Sequence, residues 1–192
     1  ILDLAHEKGA VLYGSFTLAS GKKSAHYSDG KKVTLDPRGA YLVGSAVFGI
    51  VSRLNVDAIG GLEIGAIPIA TSVAMASRES EKPVPAFIVR KRPKDYGTQS
   101  EIEGHVPLNE RVVIVDDVIT TGDSVLRAIE AVERRQCRVV KVVALVDRHE
   151  GGSDKVREKG YSFRSILDFQ TVGGKTVLAV STADRSGLES RP

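Results

Sequence analysis

Apolar and polar residues follow two periods along this chain, one typical of buried strands and one typical of amphipathic helices. Largely continuous apolar runs predict strands that are buried on both faces of a sheet. Segments with an apolar residue at every third or fourth position predict helices that cover such a sheet. The strands are expected at residues 58–61, 86–89, 112–115 and 139–146, and the helices at residues 37–54, 67–77 and 125–135.

The ends of the chain carry weaker patterns. Asp36 is placed to cap the helix that follows it, with Pro37 in the first turn. The remaining expected elements are a short helix at residues 2–8, a hairpin at 14–28, a short helix at 154–159 and strands at 162–167 and 176–180. Strands that alternate with helices, without an internal repeat, predict an α/β fold with a mostly parallel, doubly wound sheet.

Composition limits the kinds of protein that this chain can be. Its 192 residues, 42% of them hydrophobic and 27% charged, are typical of a single globular domain over residues 1–192. No apolar stretch is long enough to span a membrane, and the single cysteine, Cys137, excludes an intrachain disulfide and a cysteine-rich zinc site. A net charge of +3 is too small to require a nucleic-acid partner. We therefore expect a cytoplasmic protein that acts on small molecules.

The segment with the most chemistry lies at residues 112–124 and reads Val-Val-Ile-Val-Asp-Asp-Val-Ile-Thr-Thr-Gly-Asp-Ser. Asp116 and Asp117 follow a predicted buried strand, and ligands of open α/β sheets collect beyond the carboxyl ends of such strands. A helical stripe begins at Val125, with Asp123 or Ser124 able to cap it. The segment therefore joins a strand to a helix through a polar loop.

This loop has the groups that bind a ribose phosphate. Main-chain N–H groups at a helix start attract anions, and the hydroxyls of Thr120, Thr121 and Ser124 add donors for a phosphate. Gly122 allows close approach of the main chain to a ligand. The two carboxylates can accept hydrogen bonds from ribose hydroxyls and contact Mg²⁺ through water. The alternative is an ordinary acidic turn, but the agreement of carboxylates, hydroxyls, glycine and context favours a ligand site.

The thirteen-residue segment resembles the phosphoribosyl pyrophosphate (PRPP) motif of type I phosphoribosyltransferases. The resemblance implies the fold of that family, with Mg²⁺ bound together with PRPP. It also implies that PRPP is bound along the motif. The implied PRPP-binding residues are Asp116, Asp117, Val118, Ile119, Thr120, Thr121, Gly122, Asp123 and Ser124.

A long basic segment at residues 90–97 narrows the family. Four of the five residues from Arg90 to Lys94 are cationic, which suits a pyrophosphate, although an isolated basic cluster is more often a solvated loop. The segment resembles the lid of orotate phosphoribosyltransferases. The resemblance implies that Arg90, Lys91 and Lys94 bind PRPP and that the lid lysine reaches the neighbouring subunit of a homodimer. Tyr96 stands where many members have histidine, and it can donate a hydrogen bond to phosphate.

The amino-terminal segment resembles the hood of the same family, which implies a small hood at residues 1–35 joined by carboxyl-terminal residues. Tyr27 lies in the segment that contacts orotate in the family and is suited to stack on a pyrimidine. Ala19 stands where some members have a PRPP-binding lysine. The loop at residues 62–66 corresponds to the pyrophosphate loop, where Gly65 replaces a lysine of some relatives and leaves main-chain contacts.

The segment at residues 145–152 resembles the Asp-Arg-x-Glu stretch of the family, in which the arginine pairs with the carboxylate of orotate. That position is Arg148, and a guanidinium fork suits a carboxylate. An isolated Asp-Arg pair would more often be a surface ion pair. Thr120 is a further expected contact with orotate, and His149 is expected on the surface of the loop.

The resemblance implies transfer of ribose 5-phosphate from PRPP to orotate, which gives orotidine 5′-monophosphate and pyrophosphate in pyrimidine synthesis. Lys94, Asp116 and Asp117 are the expected catalytic residues, and no protein side chain is assigned as a direct metal ligand. Two alternatives remain. A purine or other base phosphoribosyltransferase would share the phosphate loop, and a non-catalytic regulator that senses PRPP would also bind nucleic acid.

Overall fold

The computed structural model describes residues 1–17, 23–92, 100–104 and 108–182. The strands in these ranges are β1 Val11–Thr17, β2 Lys23–Ser28, β3 Ala58–Leu62, β4 Ala86–Val89, β5 Ile102–Gly104, β6 Arg111–Ile119, β7 Arg138–Asp147, β8 Phe163–Val172 and β9 Lys175–Val180. The helices are α1 Leu2–Glu7, α2 Lys31–Thr34, α3 Pro37–Val51, α4 Ala66–Ser77, α5 Asp123–Glu133 and α6 Gly152–Glu158.

Seven of the strands form one sheet in the order β5-β4-β3-β6-β7-β8-β9. Strands β4, β3, β6, β7 and β8 run parallel, whereas β5 and β9 pair antiparallel at the two edges. Because these five strands are parallel, their carboxyl ends meet at one edge of the sheet. Helices α4, α5 and α6 connect β3 to β4, β6 to β7 and β7 to β8. The predicted mostly parallel, doubly wound sheet is confirmed.

Two hydrophobic clusters lie on opposite faces of this sheet, and β6 shows how one strand contributes to both. Val113 and Val115 belong to the cluster that contains residues of α3 and α4. Val112 and Ile114 belong to the cluster that contains residues of α5. Because successive side chains of a strand point to opposite faces, a continuous apolar run is what a strand covered on both sides needs.

Helix α3 follows the sequence pattern closely at its start. The Asp36 side chain caps it by accepting hydrogen bonds from Arg38 N at 2.9 Å and Gly39 N at 3.2 Å, with Pro37 in the first turn. Its buried side chains include Val43 and Val47. The helix ends at Val51, before the predicted residue 54.

Two local predictions at the central strand are wrong. Strand β6 does not end at Val115, because its main chain pairs with β7 as far as Ile119. Neither Asp123 nor Ser124 caps α5. The N-cap is Gly122 in the left-handed region, with φ of 82°, and no side chain caps the helix.

The antiparallel hairpin β1-β2 packs against β8 and β9, the last two strands of the sheet. The Tyr13 hydroxyl accepts a hydrogen bond from Leu178 N of β9 at 3.0 Å. The His26 ring stacks on Phe169 of β8, with ring centroids 3.9 Å apart. The hairpin therefore contacts the end of the sheet at which β7 and β8 terminate. No helix in the described ranges is long and apolar enough to cross a membrane.

Candidate active site

Asp116 and Asp117 lie near the carboxyl end of β6, and each residue is 6% exposed. Asp116 Oδ2 accepts a hydrogen bond from Ser124 Oγ at 2.5 Å, and Asp116 Oδ1 accepts one from Asp117 N at 2.9 Å. Asp117 Oδ1 accepts a hydrogen bond from Val118 N at 3.0 Å. The main chain and the start of α5 thus hold both carboxylates in place.

The environment of Asp116 favours its neutral form. Burial raises the pKa of Asp116 to about 7, and the negative charge of Asp117 pushes it in the same direction, against the hydrogen bond from Ser124. Burial has this effect because a carboxylate loses hydration that the protein replaces only in part. One member of the pair therefore changes its charge near neutral pH.

Two glycines and a lysine surround the second carboxylate. A Cβ atom at Gly65 would lie 2.3 Å from Asp117 Oδ1, and one at Gly30 would lie 2.9 Å from Asp117 Cβ. Lys31 Nζ lies 2.9 Å from Asp117 Oδ2 and 3.1 Å from Asp29 Oδ1. The loop after β3 and the start of α2 therefore both meet Asp117, and neither position tolerates a side chain in place of its glycine.

The expected phosphate loop turns from β6 into α5 at Gly122. A Cβ atom at Gly152 would lie 2.4 Å from Thr120 O and 2.6 Å from Gly122 N. Gly152 N also donates a hydrogen bond to Thr120 O at 2.8 Å. The Thr121 hydroxyl donates to Asp123 Oδ2 at 2.9 Å. The main chain at the start of α6 therefore packs directly against the loop and helps to hold its shape.

Not every residue of the expected PRPP motif presents its side chain to a ligand. Ile119 is fully buried in the cluster that contains residues of α5. Val118 is half-buried and packs against the other cluster. Asp123 is exposed, and Thr120 is half-buried. Any contact of Ile119 with PRPP would have to come from its main chain.

The loop after β3 is joined to the base of the basic lid. Glu63 Oε1 accepts a hydrogen bond from Lys91 N at 2.8 Å, and Lys91 O accepts one from Arg127 Nη2 of α5 at 2.8 Å. The peptide bond between Glu63 and Ile64 is cis. The predicted pyrophosphate loop and the start of the lid are therefore neighbours.

Arg90 lies at the start of the lid, next to β5. Arg90 follows β4, and its Nη1 lies 3.5 Å from Glu103 Oε1 of β5. Lys94 and Tyr96 lie outside the described residues. On the chain that enters β5, Glu101 forms an ion pair through both carboxylate oxygens, at 2.7 and 2.8 Å, with Arg134, the residue after α5.

Arg148 follows β7 and is buried against the hairpin. Its Nη2 donates to Ser24 Oγ at 3.0 Å and to His26 O at 3.1 Å, and lies 2.8 Å from Glu150 Oε1. The Arg148 Nε atom is buried without a hydrogen-bond partner among the described residues. Asp147 Oδ1 accepts from His149 N at 2.9 Å, which shapes the loop that carries Arg148. His149 is exposed, as expected.

The structure does not bring Tyr27 and Arg148 together. Side chains alternate along β2, and Tyr27 lies on the face opposite to that of Ser24 and His26, whose atoms contact Arg148. Tyr27 is 43% exposed, and its ring lies 5.9 Å from that of Phe16. Burial lowers the pKa of His26, and the charge of Arg148 lowers it further, so His26 is neutral beside the guanidinium.

Several residues at the site are missing from the sequence-based prediction. Lys31 and Asp117 are 86 positions apart, and no motif links them. Ser24 and His26 meet Arg148 only because the hairpin folds over the sheet. Only Gly152 could have been found from the sequence, because two successive glycines after a strand indicate a tight turn.

Comparison with known proteins identifies relatives over most of the chain. A family model described as a phosphoribosyl transferase domain matches residues 35–179. A protein of Thermococcus gammatolerans named orotate phosphoribosyltransferase is 42% identical over 169 residues, which cover 87% of each chain.

Solved structures give the same picture. Orotate phosphoribosyltransferase of Mycobacterium tuberculosis, in complex with Fe(III) dicitrate, aligns with a TM-score of 0.75 and 35% identity, covering 87% of this chain and 95% of that chain. A structure of the Mycobacterium tuberculosis enzyme in complex with PRPP aligns with a TM-score of 0.65 and 33% identity, covering 73% of this chain and 80% of that chain.

Proposed function

Because the chain belongs to the phosphoribosyltransferase family, among its orotate phosphoribosyltransferases, we propose that it transfers ribose 5-phosphate from PRPP to orotate. The products are orotidine 5′-monophosphate and pyrophosphate, in pyrimidine synthesis. The observation that carries the proposal is the buried pair Asp116 and Asp117 near the carboxyl end of β6, shortly before the phosphate loop. The neighbouring strand β7 ends beside Ile119 and is followed by Arg148. We place the enzyme in the cytoplasm.

The ribose phosphate is held by β6 and the loop after it. Main-chain N–H groups and hydroxyls of residues 120–124 bind the 5′-phosphate at the start of α5. Asp116 and Asp117 accept hydrogen bonds from the ribose hydroxyls, for which each carboxylate still has free lone pairs. Fixing the sugar in this way presents its C1 carbon to the attacking nitrogen of orotate.

The leaving pyrophosphate is bound by the lid and by the loop after β3. Arg90, Lys91, Lys94 and Tyr96 supply positive charge and hydrogen-bond donors, and the main chain of residues 63–65 adds amide donors. As the bond between C1 and the pyrophosphate oxygen breaks, its electron pair leaves with the pyrophosphate. Donors already in place for that charge lower the barrier.

The donor set near the ribose fits Mg²⁺ carried by the substrate rather than by a protein cage. In the described part of the chain, no group of three or more His, Cys, Asp or Glu side chains is arranged to hold a metal ion. Asp116 and Asp117 offer carboxylate oxygens, which suit Mg²⁺ through bridging water. Mg²⁺ bound with PRPP supplies charge neutralisation for the departing pyrophosphate.

Orotate binds between the end of β7 and the hairpin. Arg148 pairs with the orotate carboxylate, and Thr120 contacts the base. Tyr27 has no part in this proposal, because it lies on the face of β2 opposite to the one that meets Arg148. The buried guanidinium supports this role, because low solvent exposure strengthens a charge-assisted pair. Since Glu150 already contacts Arg148 Nη2, an incoming carboxylate has to share or displace that interaction.

The protein acts as a homodimer in which Lys94 reaches the neighbouring active site. Exposed apolar side chains on α3 and α4 support such an interface: Tyr41 is 73% exposed and Met75 is 65% exposed. Both line one groove between these helices, together with Phe48. Residues 1–35 form the hood, and the contact between Tyr13 and Leu178 supports a carboxyl-terminal contribution to it.

The deciding experiment combines the protein with PRPP, Mg²⁺ and each of a panel of bases, and follows base consumption and pyrophosphate release. Orotate should be consumed with one equivalent of pyrophosphate, and adenine, guanine and hypoxanthine should not. Turnover of a purine without turnover of orotate would replace the substrate. PRPP binding without turnover of any base would favour the regulator.

The lid is tested separately with Lys94→Ala. Turnover should fall steeply while the unfolding temperature stays the same, because the lysine acts only on the bound pyrophosphate. Lys159→Ala, at an exposed position after α6, is the matched control and should keep full turnover. Near-normal turnover of the Lys94 variant would remove the lid lysine from the mechanism.

A further inference from the structure

Lys31 occupies a position between the amino-terminal segment and the expected ribose site. It begins the short helix α2, directly after Asp29 and Gly30. Its Nζ lies 2.9 Å from Asp117 Oδ2 and 3.1 Å from Asp29 Oδ1. The ammonium therefore bridges a carboxylate of the sheet and a carboxylate at the end of the hairpin.

The main chain around Lys31 keeps the ammonium in this place. Lys31 N donates to Asp29 Oδ1 at 3.2 Å, and Asp29 N donates to Ala10 O at 2.9 Å. Gly30 packs so closely on Asp117 that a Cβ atom there would lie 2.9 Å from Asp117 Cβ. The Lys31 side chain is 42% exposed and already held by these contacts. It therefore loses less conformational freedom when PRPP binds than a lysine on an open surface would lose.

The two oxygens of Asp117 have different neighbours. Oδ1 accepts from Val118 N, and the main chain at Gly65 lies on that side. Oδ2 meets Lys31, and it keeps a second lone pair with which it can accept from a ribose hydroxyl. Burial alone would lower the pKa of Lys31, but its hydrogen bonds and charge interactions with Asp117 and Asp29 outweigh burial and raise it. The lysine thus remains a cation beside the carboxylate.

We propose that Lys31 is a positioning residue for PRPP: its ammonium orients Asp117 as a charged acceptor for the ribose and couples the hairpin to the sugar site. The inference rests on the proposed function, in which Asp117 holds ribose hydroxyls. Without the ammonium, the buried Asp116 and Asp117 would face each other without a nearby cation among their described contacts. A displaced Asp117 would hold the sugar less well.

The test measures PRPP binding in the absence of any base by titration calorimetry with Mg²⁺ present. Lys31→Met should weaken PRPP binding by about 10-fold or more, the effect of losing one charge-assisted interaction. Lys31→Arg should recover most of the affinity. Lys32→Met is the matched control, because Lys32 lies in the same helix but donates to Gly9 O at 3.0 Å. The PRPP affinity of this control variant should stay within twofold of the wild-type value.

A second comparison separates positioning from a purely structural link. If Lys31 acts through Asp117, Lys31→Met should have little further effect in an Asp117→Asn background. Equal losses in both backgrounds, or wild-type affinity for PRPP in Lys31→Met, would overturn the proposal. Should the Met variant not fold, Lys31→Gln removes the same charge and gives the same comparison. If the wild-type protein binds PRPP but does not use orotate, the proposed function fails while the Lys31 comparison still stands.

Discussion

The surroundings of Asp116, rather than its residue type, determine the pH at which its carboxyl group loses its proton. Its carboxylate is buried, accepts from Ser124 and Asp117 N, and lies next to a second carboxylate. Burial and the neighbouring charge raise its pKa from the ordinary value of 3.8 to about 7. Between about pH 4 and pH 7, the folded protein therefore keeps a proton at Asp116 that the unfolded chain has lost.

This difference predicts a pH dependence of stability. Between about pH 4 and pH 7 the folded state binds more protons at Asp116 than the unfolded state, so this group lowers the free energy of unfolding as pH rises. Asp116→Asn should remove that slope, at most about 1.4 kcal/mol per pH unit. Urea unfolding from pH 4 to 8 measures it. The variant should gain stability relative to wild type as pH rises, and a constant difference would contradict the assignment.

The proposed contact between Arg148 and the orotate carboxylate can be tested by removing the guanidinium. Arg148→Met should raise the KM for orotate roughly 10- to 100-fold, because a charge-assisted hydrogen-bonded pair is lost. PRPP affinity, measured by calorimetry, should change little, since the described hydrogen bonds of the Arg148 side chain go to the hairpin and Glu150, and only its main-chain N bonds to the PRPP motif, at Ile119 O. Arg53→Met, at an exposed position after α3, is the control. An unchanged KM for orotate would remove Arg148 from base recognition.

At the scale of elements, the junctions between strands and helices build the site. The loop into α5 turns at Gly122, and its main chain lies against Gly152 at the start of α6. The loop after β3 approaches Asp117 at Gly65. At Gly65, Gly122 and Gly152 the main chain comes so close to its neighbours that a Cβ atom would have no room, which explains the glycines at these positions.

Gly152→Ala tests this packing. The added methyl group would lie 2.4 Å from Thr120 O, so the phosphate loop has to shift, and PRPP binding should weaken by about 10- to 100-fold. Calorimetry with PRPP and Mg²⁺ measures the change. Ser153→Ala is the matched control, because its buried Oγ has no hydrogen-bond partner among the described residues. Equal PRPP affinity in both variants would mean that α6 does not support the loop.

At the scale of the whole molecule, the two clusters lie on opposite faces of one sheet, and the hairpin packs at one end of it. The opposite end of the sheet has its own polar contacts. Asp57 accepts from Lys82 Nζ at 2.6 Å and from Arg111 N at 2.9 Å, which ties the turn before β3 to the start of β6. Structural ion pairs and the candidate active site thus lie at different ends of the same strands.

The proposed dimer depends on the exposed apolar side chains of α3 and α4. Tyr41→Glu combined with Met75→Glu should convert the dimer to monomers, because charges replace exposed apolar surface on α3 and α4. Sedimentation velocity measures the change, and turnover should fall if Lys94 serves the neighbouring site. Leu108→Glu, at another exposed apolar position, should stay dimeric. A double variant that remains dimeric would place the interface on another surface.

Much of the fold and part of the site could be predicted from local patterns. The apolar runs located β3, β4, β6 and β7, and the Asp36 cap located α3. Local reasoning failed where a distant partner decides the outcome. The polar residues after Val115 looked like the end of a strand, yet pairing with β7 extends β6 to Ile119. Ser124 looked like a cap, yet its hydroxyl is used by Asp116.

Local sequence patterns were enough to locate most strands and helices, the family and the contiguous phosphate loop, because periodicity and loop chemistry act over a few neighbouring residues. They did not predict α2 or β5. Only the tertiary structure brought Lys31 to Asp117, the hairpin to Arg148 and Gly152 to Thr120. Such contacts join residues far apart in the chain, so they form only when the packed sheet and its hydrophobic clusters fix the relative positions of whole elements.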